Sequence, residues 1–278
     1  MTTIEFSEDS EICVIEKKAF IESGLTNFMM PPHVKKIEEG TFSKCKKLKT
    51  INFSEDSELI SIESDAFSNS SIECLSIPSN CIDLKEKWCI ETDSLVNISI
   101  SQKNHRFSYI NNEMIVGKSD EKLDFYDELY FVRRDIKDVK IPSYIKTIKS
   151  HSFHGCKQLK SVTFSEDSEL FSIENDAFSL SSIEYLSIPA SVVELKDCWC
   201  SKTLQLNTVS VSPENKNFLC IDDKMIVGKN DEKKKFYDDL VFVRRDIETI
   251  QIPSFIIEIK PFSFYGTRKI QSVTFSEN

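Results

Sequence analysis

Apolar residues recur along the chain in one fixed spacing, apolar-x-x-apolar-x-apolar, with mostly polar residues between them. The members are Leu25-Phe28-Met30, Leu48-Ile51-Phe53, Ile72-Leu75-Ile77, Leu95-Ile98-Ile100, Ile136-Val139-Ile141, Leu159-Val162-Phe164, Ile183-Leu186-Ile188, Leu206-Val209-Val211, Ile247-Ile250-Ile252 and Ile270-Val273-Phe275, with Met1-Ile4-Phe6 as a first member. The last three positions alternate as a β-strand requires, and the leading residue turns toward the same interior. Each member therefore predicts one short strand that stacks in parallel on its neighbours.

A second signal precedes most of these strands, because an aliphatic residue stands five positions before an aromatic one. The pairs are Ile15 and Phe20, Ile37 and Phe42, Ile62 and Phe67, Ile148 and Phe153, Ile173 and Phe178, and Ile259 and Phe264, with Trp88 and Trp199 in the phenylalanine position of two further units. Small residues directly before the phenylalanines predict a tight turn or a single helical turn. A ladder of rings that stacks a ligand is the alternative, but aromatic residues locked to a repeat are expected to fill its interior. The same interpretation explains the 20 phenylalanines.

The chain also repeats on a larger scale. The segment Phe131-Val132-Arg133-Arg134-Asp135 returns as Phe242-Val243-Arg244-Arg245-Asp246. We predict a single solenoid over residues 1–278, with a leader at 1–52 and two blocks at 53–163 and 164–274. From the first block to the start of the second, strand patterns begin at Leu48, Ile72, Leu95, Ile136 and Leu159. Each block therefore holds four units, and the one that begins at Leu95 is enlarged.

The enlarged units carry insertions at residues 104–135 and 215–246. In each copy two apolar runs flank a charged stretch, which predicts a β-hairpin with a polar tip. The tips are predicted at residues 117–124 and 228–235.

Composition and charge exclude several classes of partner. The chain has 35 basic and 45 acidic residues and a net charge of −10, so it would repel a polyphosphate backbone, and no nucleic acid partner is expected. The longest stretch without a charged residue is 23–34, whereas a membrane span needs roughly 20 apolar residues. No membrane insertion is therefore expected. Gly117-Lys118-Ser119 ends like a phosphate-binding loop, but Asn112 stands where such a loop needs glycine, and we interpret the segment as a hairpin turn.

Nine cysteines leave two interpretations open, a disulfide framework and buried reduced thiols. Cys45 and Cys89 recur in the second block as Cys156 and Cys200. The block partners of Cys74, Cys81, Cys198 and Cys220 are instead Tyr185, Val192, Lys87 and Tyr109. Because a required disulfide would not tolerate these replacements, we expect reduced cysteines packed as small apolar residues.

No catalytic, cofactor or metal site is predicted. A Cys-x-Cys pair at 198–200 and a His-x-x-His pair at 151–154 have spacings seen in zinc sites. The other copy, however, has Lys87 in the first case and Phe262 and Tyr265 in the second. We interpret the acidic segments at 54–58 and 165–169 as solvated connections rather than as calcium loops.

Three asparagines, Asn52, Asn69 and Asn97, stand in glycosylation sequons. The second block lacks all three at the equivalent positions. They are therefore weak support for export.

The residues at fixed positions of the repeat resemble those of a known repeat family. Ile62-x4-Phe67 followed by Leu75-Ser76-Ile77-Pro78, and Ile148-x4-Phe153-x2-Cys156-x2-Leu159-x2-Val162-x-Phe164, resemble BspA-like leucine-rich repeats. The Trp-Cys, Met-Ile-Val-Gly-Lys and Arg-Arg-Asp segments are similar to those of the large BspA-like family of trichomonad parasites. The resemblance implies a right-handed curved repeat solenoid with a parallel β-sheet on its concave face, short turns or single helical turns on the convex side, and the two hairpin insertions. It also implies a surface antigen or adhesion protein whose partner is a host-cell or extracellular-matrix protein.

Outward positions on the predicted sheet are mostly small or polar, which favours non-enzymatic protein binding through this face and the insertions. The candidate binding residues are Met29, Lys49, Asn52, Lys160 and Tyr185. Met29 and Tyr185 are the expected anchors, because methionine and aromatic residues are enriched in interface cores.

Three functional classes remain to be compared. An adhesive surface or secreted protein is favoured by the resemblance, an intracellular scaffold is favoured by the cysteines, and an enzyme is expected least. Residues 1–6 lack the features of a signal peptide and no membrane span is encoded, so a cytoplasmic location stays open beside the cell surface. Terminal strands without a capping unit are expected to fray or to stack end to end with other copies.

Overall fold

A computed structural model describes residues 3, 4, 6, 10–229 and 236–276. They form a repeat solenoid of short parallel strands, which confirms the predicted fold class. None of the described residues is helical. The segments that carry the phenylalanines were predicted as tight turns or single helical turns, and they are tight turns. The chain divides into two compact units, Met1–Asp135 (unit 1) and Ile136–Asn278 (unit 2). The predicted division of a single solenoid into a leader at 1–52 and blocks at 53–163 and 164–274 stays a prediction.

Unit 1 contains two parallel sheets and one antiparallel insertion. Its strands are β1 (Thr3–Ile4), β2 (Asn27–Met30), β3 (Lys36–Ile37), β4 (Thr50–Phe53), β5 (Ser61–Ile62), β6 (Cys74–Ile77), β7 (Asp83–Leu84), β8 (Asn97–Ile100), β9 (Phe107–Ile110), β10 (Met114–Gly117) and β11 (Glu128–Val132). One sheet has the order β1-β2-β4-β6-β8, and the other has the order β3-β5-β7. We call the first the long-strand sheet and the second the short-strand sheet, and we use the same names for the corresponding strands of unit 2.

Unit 2 repeats this plan. Its strands are β12 (Asp138–Ile141), β13 (Thr147–Ile148), β14 (Ser161–Phe164), β15 (Ser172–Ile173), β16 (Tyr185–Ile188), β17 (Glu194–Leu195), β18 (Thr208–Val211), β19 (Phe218–Ile221), β20 (Met225–Gly228), β21 (Asp239–Val243), β22 (Thr249–Ile252), β23 (Glu258–Ile259) and β24 (Ser272–Phe275). The long strands pair as β12-β14-β16-β18 and β22-β24, and the short strands β13, β15 and β17 pair in parallel.

The four-residue strands of the parallel sheets coincide with the predicted apolar patterns. Their side chains alternate as expected, except in β24, whose four side chains are all exposed. In β2, for example, Phe28 and Met30 are buried while Met29 is exposed. Apart from β1, which lies in the predicted first member, the two-residue strands were not predicted. They contain the aliphatic residue of the second sequence signal, such as Ile37 and Ile62, so each rung of the solenoid joins two parallel ladders.

The phenylalanines form stacked columns in the interior. In unit 1, the rings of Phe42 and Phe67 are fully buried and nearly parallel, with centroids 5.8 Å apart. In unit 2, Phe153 and Phe178 stack at 4.6 Å. The interpretation of these aromatics as core residues is therefore confirmed.

Each turn that carries such a phenylalanine has a regular backbone. Two residues four positions apart adopt left-handed φ angles, from 54° to 80°. The pairs are Lys18 and Glu22, Gly40 and Lys44, Asp65 and Asn69, Lys87 and Glu91, His151 and Gly155, Asp176 and Leu180, Cys198 and Lys202, and Phe262 and Gly266. Most of these residues are not glycine, although L-residues other than glycine adopt this conformation at a cost.

Hydrogen bonds between rungs hold this conformation. The amides of Lys18, Phe20 and Glu22 donate to carbonyls of the next turn at 2.9–3.0 Å. The alternate amides, such as those of Ala19 and Ile21, donate instead to the carbonyl three residues earlier at 3.1 Å. The turns therefore form a third ladder between rungs, in addition to the two sheets.

Truncation of a stacked phenylalanine should destabilise the protein strongly. We expect Phe178→Ala to lower the free energy of unfolding by about 3–5 kcal/mol, because it leaves a cavity in a packed column. The matched control is Phe171→Ala in the same unit, whose side chain is 48% exposed and whose loss should cost below about 1 kcal/mol. Urea denaturation measures both changes, and equal losses would contradict the assignment of the core.

A β-branched residue at a left-handed turn position should also be unfavourable. Lys44 has a φ of 60° and an exposed side chain, so Lys44→Val should cost about 1–3 kcal/mol through backbone strain. Lys47→Val, at an exposed neighbouring position without a left-handed φ, is the control and should have little effect. Thermal and urea unfolding of the two variants would give the same result if the turn backbone were not strained.

Candidate functional site

The outer surface of the long-strand sheet presents side chains in straight rows. In unit 1, Asn27, Thr50, Cys74 and Asn97 lie side by side in one row, as their strand register requires. The second row contains the outward residues Met29, Asn52, Ser76 and Ser99. None of these eight positions is charged, so a partner that covers them meets few strongly hydrated groups.

Hydrogen bonds within the first row fix its side chains. The Thr50 hydroxyl donates to Asn27 Oδ1 at 2.6 Å, and Asn97 Nδ2 lies 3.6 Å from the Cys74 sulfur. Next to them, Asn52, Ser76 and Ser99 line a shallow depression of about 230 Å³. The face of unit 1 is therefore neutral, polar and largely pre-ordered.

The corresponding face of unit 2 is more varied. Its first row is Asp138, Ser161, Tyr185 and Thr208, and its second row is Lys140, Thr163, Ser187 and Ser210. The Ser161 hydroxyl donates to Asp138 Oδ1 at 2.6 Å. Tyr185 is the only aromatic side chain among these eight positions, and it is 37% exposed.

All five residues selected from the sequence are exposed. Met29 and Asn52 are register partners on adjacent strands of unit 1, so the structure brings them together. Lys49 lies just before β4 and forms an ion pair with Glu73. In unit 2, Lys160 forms the equivalent ion pair with Glu184, directly before Tyr185. Such exposed pairs contribute little to stability, which leaves both lysines available to a partner at low cost.

The insertions are three-stranded rather than simple hairpins. In unit 1, β10 pairs antiparallel with both β9 and β11, and in unit 2, β20 pairs in the same way with β19 and β21. The predicted pairing of the two apolar runs is therefore found, and a strand that was not predicted precedes it. Of the second predicted tip, residues 230–235 lie outside the described residues.

Each insertion presents one phenylalanine to solvent. Phe125 is 42% exposed, and Phe236, its equivalent in the second block, is 74% exposed. An exposed phenylalanine at the same place in two copies is a candidate contact for a partner. The sequence reasoning missed this pair. The phenylalanines of the turns, such as Phe42 and Phe67, follow an aliphatic residue by five positions, and Phe125 and Phe236 do not.

The Arg-Arg-Asp segment explains how an insertion is attached. In unit 1, the first arginine, Arg133, donates to Asp135 at 2.6 Å and to the carbonyl of Asn112 at 2.9 Å, across the turn between β9 and β10. The second, Arg134, is buried, with its guanidinium carbon 4.4 Å from the centre of the Phe131 ring. Its Nη2 lies 3.6 Å from the sulfur of Cys89, in the Trp-Cys segment.

Unit 2 repeats this attachment. Arg245 lies over the Phe242 ring at 4.5 Å and donates to the carbonyls of Val243 and Ser263 at 3.2 Å and 2.8 Å. Its Nη2 is 3.7 Å from the sulfur of Cys200. Burial lowers the pKa of Arg245 and raises the pKa of Cys200 to about 11. Two segments that are distant in sequence therefore recur together because their side chains meet in the core.

All nine cysteines are thiols in the structure, and five of them are buried. Burial raises the pKa of Cys81 to about 12. The Cys45 thiol donates to the carbonyl of Phe20 at 3.0 Å, as a packed small residue can. Within the described residues, no group of three or more histidine, cysteine and carboxylate side chains is arranged to hold a metal ion.

The part of the chain that the structure describes contains no helix with the length and apolar character of a membrane span.

The described residues form a repeat solenoid with exposed parallel strands, and comparison with family models identifies the family. The family model described as the BspA-type leucine-rich repeat region matches residues 14–135, 124–228 and 235–278. The chain belongs to this family. Comparison with curated protein sequences gives no match.

Solved structures of bacterial proteins share the fold. A leucine-rich repeat protein from Eubacterium ventriosum is 18% identical with a TM-score of 0.63, over 92% of this chain and 68% of that protein. A leucine-rich cell surface protein from Faecalibacterium prausnitzii is 18% identical with a TM-score of 0.61, over 100% and 74%. The pneumococcal vaccine antigen PcpA is 17% identical with a TM-score of 0.59, over 94% and 60%.

Thiol reactivity should follow burial. At pH 8, we expect iodoacetamide to modify the exposed Cys13 first and to leave Cys81 and Cys200 unmodified, because their thiols are inaccessible and their raised pKa values keep them protonated. All nine should react in urea. Peptide mass spectrometry measures both patterns, and rapid modification of Cys81 in the native protein would contradict the core packing.

Proposed function

We propose that the protein is a non-enzymatic binding protein that holds a protein partner against the long-strand sheet and the insertions. The observation that carries this proposal is the face itself, an ordered and exposed array of small polar side chains with few charges. Covering such a surface costs little desolvation, since its amides and hydroxyls can exchange water for a partner's hydrogen bonds. Solenoid proteins commonly use an extended sheet face in this way.

Met29 and Tyr185 supply the anchors in this proposal. Met29 is 50% exposed and stands on a neutral background of asparagine, threonine and serine. Tyr185 projects beside Ser161 and Thr208, its register partners. Large side chains surrounded by small ones are the usual arrangement of binding hot spots. Asn52, Lys49 and Lys160 then add polar contacts on or next to the neighbouring strands β4 and β14.

We further propose that the protein acts at the cell surface or after secretion, with a host-cell or extracellular-matrix protein as partner. The support is the family, together with structural neighbours that include a cell surface protein and a vaccine antigen. These two neighbours are 18% and 17% identical to this chain. At such low identity they support the fold and serve here only as an analogy for the role.

An intracellular scaffold is the second candidate, and the cysteines favour it. All nine are thiols, and Cys13 is exposed, an arrangement suited to a reducing compartment. Mass measurement of the protein isolated from its own cells, with and without reduction, separates the candidates, because several disulfides would argue against the scaffold. Biotinylation of intact cells tests surface display directly.

Substitutions on the face should abolish binding without unfolding the protein. We expect Met29→Asp and Tyr185→Asp each to lower binding of the labelled protein to host cells or matrix at least about tenfold, because a charge replaces a desolvated anchor. The matched control is Phe171→Asp, another exposed apolar residue that does not lie on the long-strand sheet.

A photo-crosslinking amino acid at positions 29 and 185 provides an independent measurement. The same partner should crosslink from both positions and not from position 171. Unchanged binding in both aspartate variants, with normal melting temperatures, would exclude the face as the binding site.

A further inference from the structure

Unit 2 contains a cleft beside its insertion, away from the exposed rows of the long strands. It has a volume of about 350 Å³ and lies between the short strand β17 and the insertion strands β19 and β21. These strands belong to different sheets, so no backbone pairing closes the gap. The apolar part of its wall includes Leu195, Trp199, Phe218 and Val241.

Two buried polar atoms on this wall, one in Asp239 and one in Trp199, lack a hydrogen-bond partner within the described residues. The first is Asp239, whose side chain is 2% exposed: Lys260 lies 3.1 Å from Oδ2, while Oδ1 has no donor. The second is Trp199, which is 3% exposed and whose indole Nε1 has no acceptor. A buried acceptor without a donor costs free energy, so a ligand that donates a hydrogen bond here would be stabilised.

The equivalent place in unit 1 shows what completes it. There the counterpart of Val241 is Tyr130, whose hydroxyl donates to Glu128 Oε2 at 2.7 Å, and Glu128 is the counterpart of Asp239. The Tyr130 ring packs against Phe107 with centroids 5.1 Å apart. Arg106 also reaches the Tyr130 hydroxyl, at 3.3 Å. The first copy therefore fills this site with its own phenol group.

Unit 2 retains the glycine and phenylalanine beside this site but lacks the tyrosine. Tyr130 covers Gly117 so closely that a methyl group on Gly117 would lie 2.6 Å from its ring, and Val241 covers Gly228 in the same way at 3.1 Å. Valine lacks the ring and hydroxyl, and Asn217 stands where unit 1 has Arg106. Leu195 is only half-buried, whereas its counterpart Leu84 is buried. The cleft thus occupies the position that the missing phenol would fill.

We propose that this cleft binds the phenol group of a tyrosine side chain presented by the partner protein, with its hydroxyl donating to Asp239 Oδ1 and its ring beside Phe218 and Val241. The source of the tyrosine rests on the proposed function, whereas the phenol chemistry does not. A guanidinium group fits less well, because the cleft offers it no net negative charge. Its lining holds three lysines and three carboxylates: Lys196, Lys229, Lys260, Glu194, Asp197 and Asp239.

The test uses 4-methylphenol, the side chain of tyrosine as a free molecule, and the full chain labelled with ¹⁵N. The readout is the indole N–H signal of Trp199, with Trp88 in unit 1 as an internal reference. We expect a saturable shift of the Trp199 signal, with a dissociation constant on the order of 1 mM for so small a ligand, and no shift for Trp88. Toluene, which lacks the hydroxyl, should bind at least about tenfold more weakly, because hydrogen bonds to charged acceptors are the strong ones.

Three variants make the result specific. Val241→Tyr should fill the cleft as unit 1 does and abolish the shift, while Asp239→Asn should weaken binding about tenfold or more. The double variant Tyr130→Val/Arg106→Asn should open the first copy, so that the Trp88 signal responds. Melting temperatures verify folding, and competition by N-acetyl-tyrosinamide on the unmodified protein gives a measurement that needs no variant. Equal binding of toluene and 4-methylphenol, or an undiminished shift in Val241→Tyr, would overturn the phenol site.

Measurements of binding to host cells or matrix then test whether the phenol is a tyrosine of the partner protein. If the tyrosine belongs to the partner, N-acetyl-tyrosinamide should compete with partner binding and Val241→Tyr should weaken it. Binding of 4-methylphenol together with unchanged partner binding in Val241→Tyr would overturn the partner's tyrosine as its source. Loss of partner binding only in the Met29 and Tyr185 variants would support the sheet face while excluding the cleft from that contact.

Discussion

Backbone hydrogen bonds between neighbouring rungs are the interaction on which each unit depends. They run in three ladders: the long-strand sheet, the short-strand sheet and the left-handed turns. A single rung of about 23 residues could not bury its apolar edge alone, and the ladders fix the distance at which the next rung covers it. The stacked rings of Phe42 and Phe67 are a consequence. Hydrogen bonds hold successive turns in register, such as the bond from the Phe42 amide to the Ala66 carbonyl at 2.8 Å, and so place equivalent side chains above one another. The exposed rows of Asn27, Thr50 and Asn97 follow from the same register.

The sequence predicted the long strands and the core accurately, because alternation within a longer regular repeat admits few alternatives. It did not predict the two-residue strands, since Lys36–Ile37 is too short to show alternation. It also did not predict the left-handed turns, since residues such as Lys18, Lys44 and Leu180 have no preference for that conformation. Their backbone is set by hydrogen bonds to the adjacent rung, a tertiary constraint that local sequence does not encode.

The exposed candidates were predictable only in part. Alternation indicated that Met29, Asn52 and Tyr185 face outward, but not that Lys49 and Lys160 are held by equivalent glutamates. The cleft could not be found from one copy, because an aspartate next to a valine run carries no signal. Comparison of the two copies identifies it. Gly228 and Phe218 are retained in the second copy, whereas Val241 replaces the tyrosine of the first copy. The duplicated block therefore acts as an internal control.

The ladders also determine how a unit responds to mechanical load. A force along the stack is carried in series by successive rung interfaces, while the three ladders within one interface share it in parallel. Rupture of one interface at an end would release a single rung and leave the next intact. With about 23 residues per rung, the chain would lengthen by steps of about 80 Å. Such a unit yields gradually under tension and dissipates energy at each step.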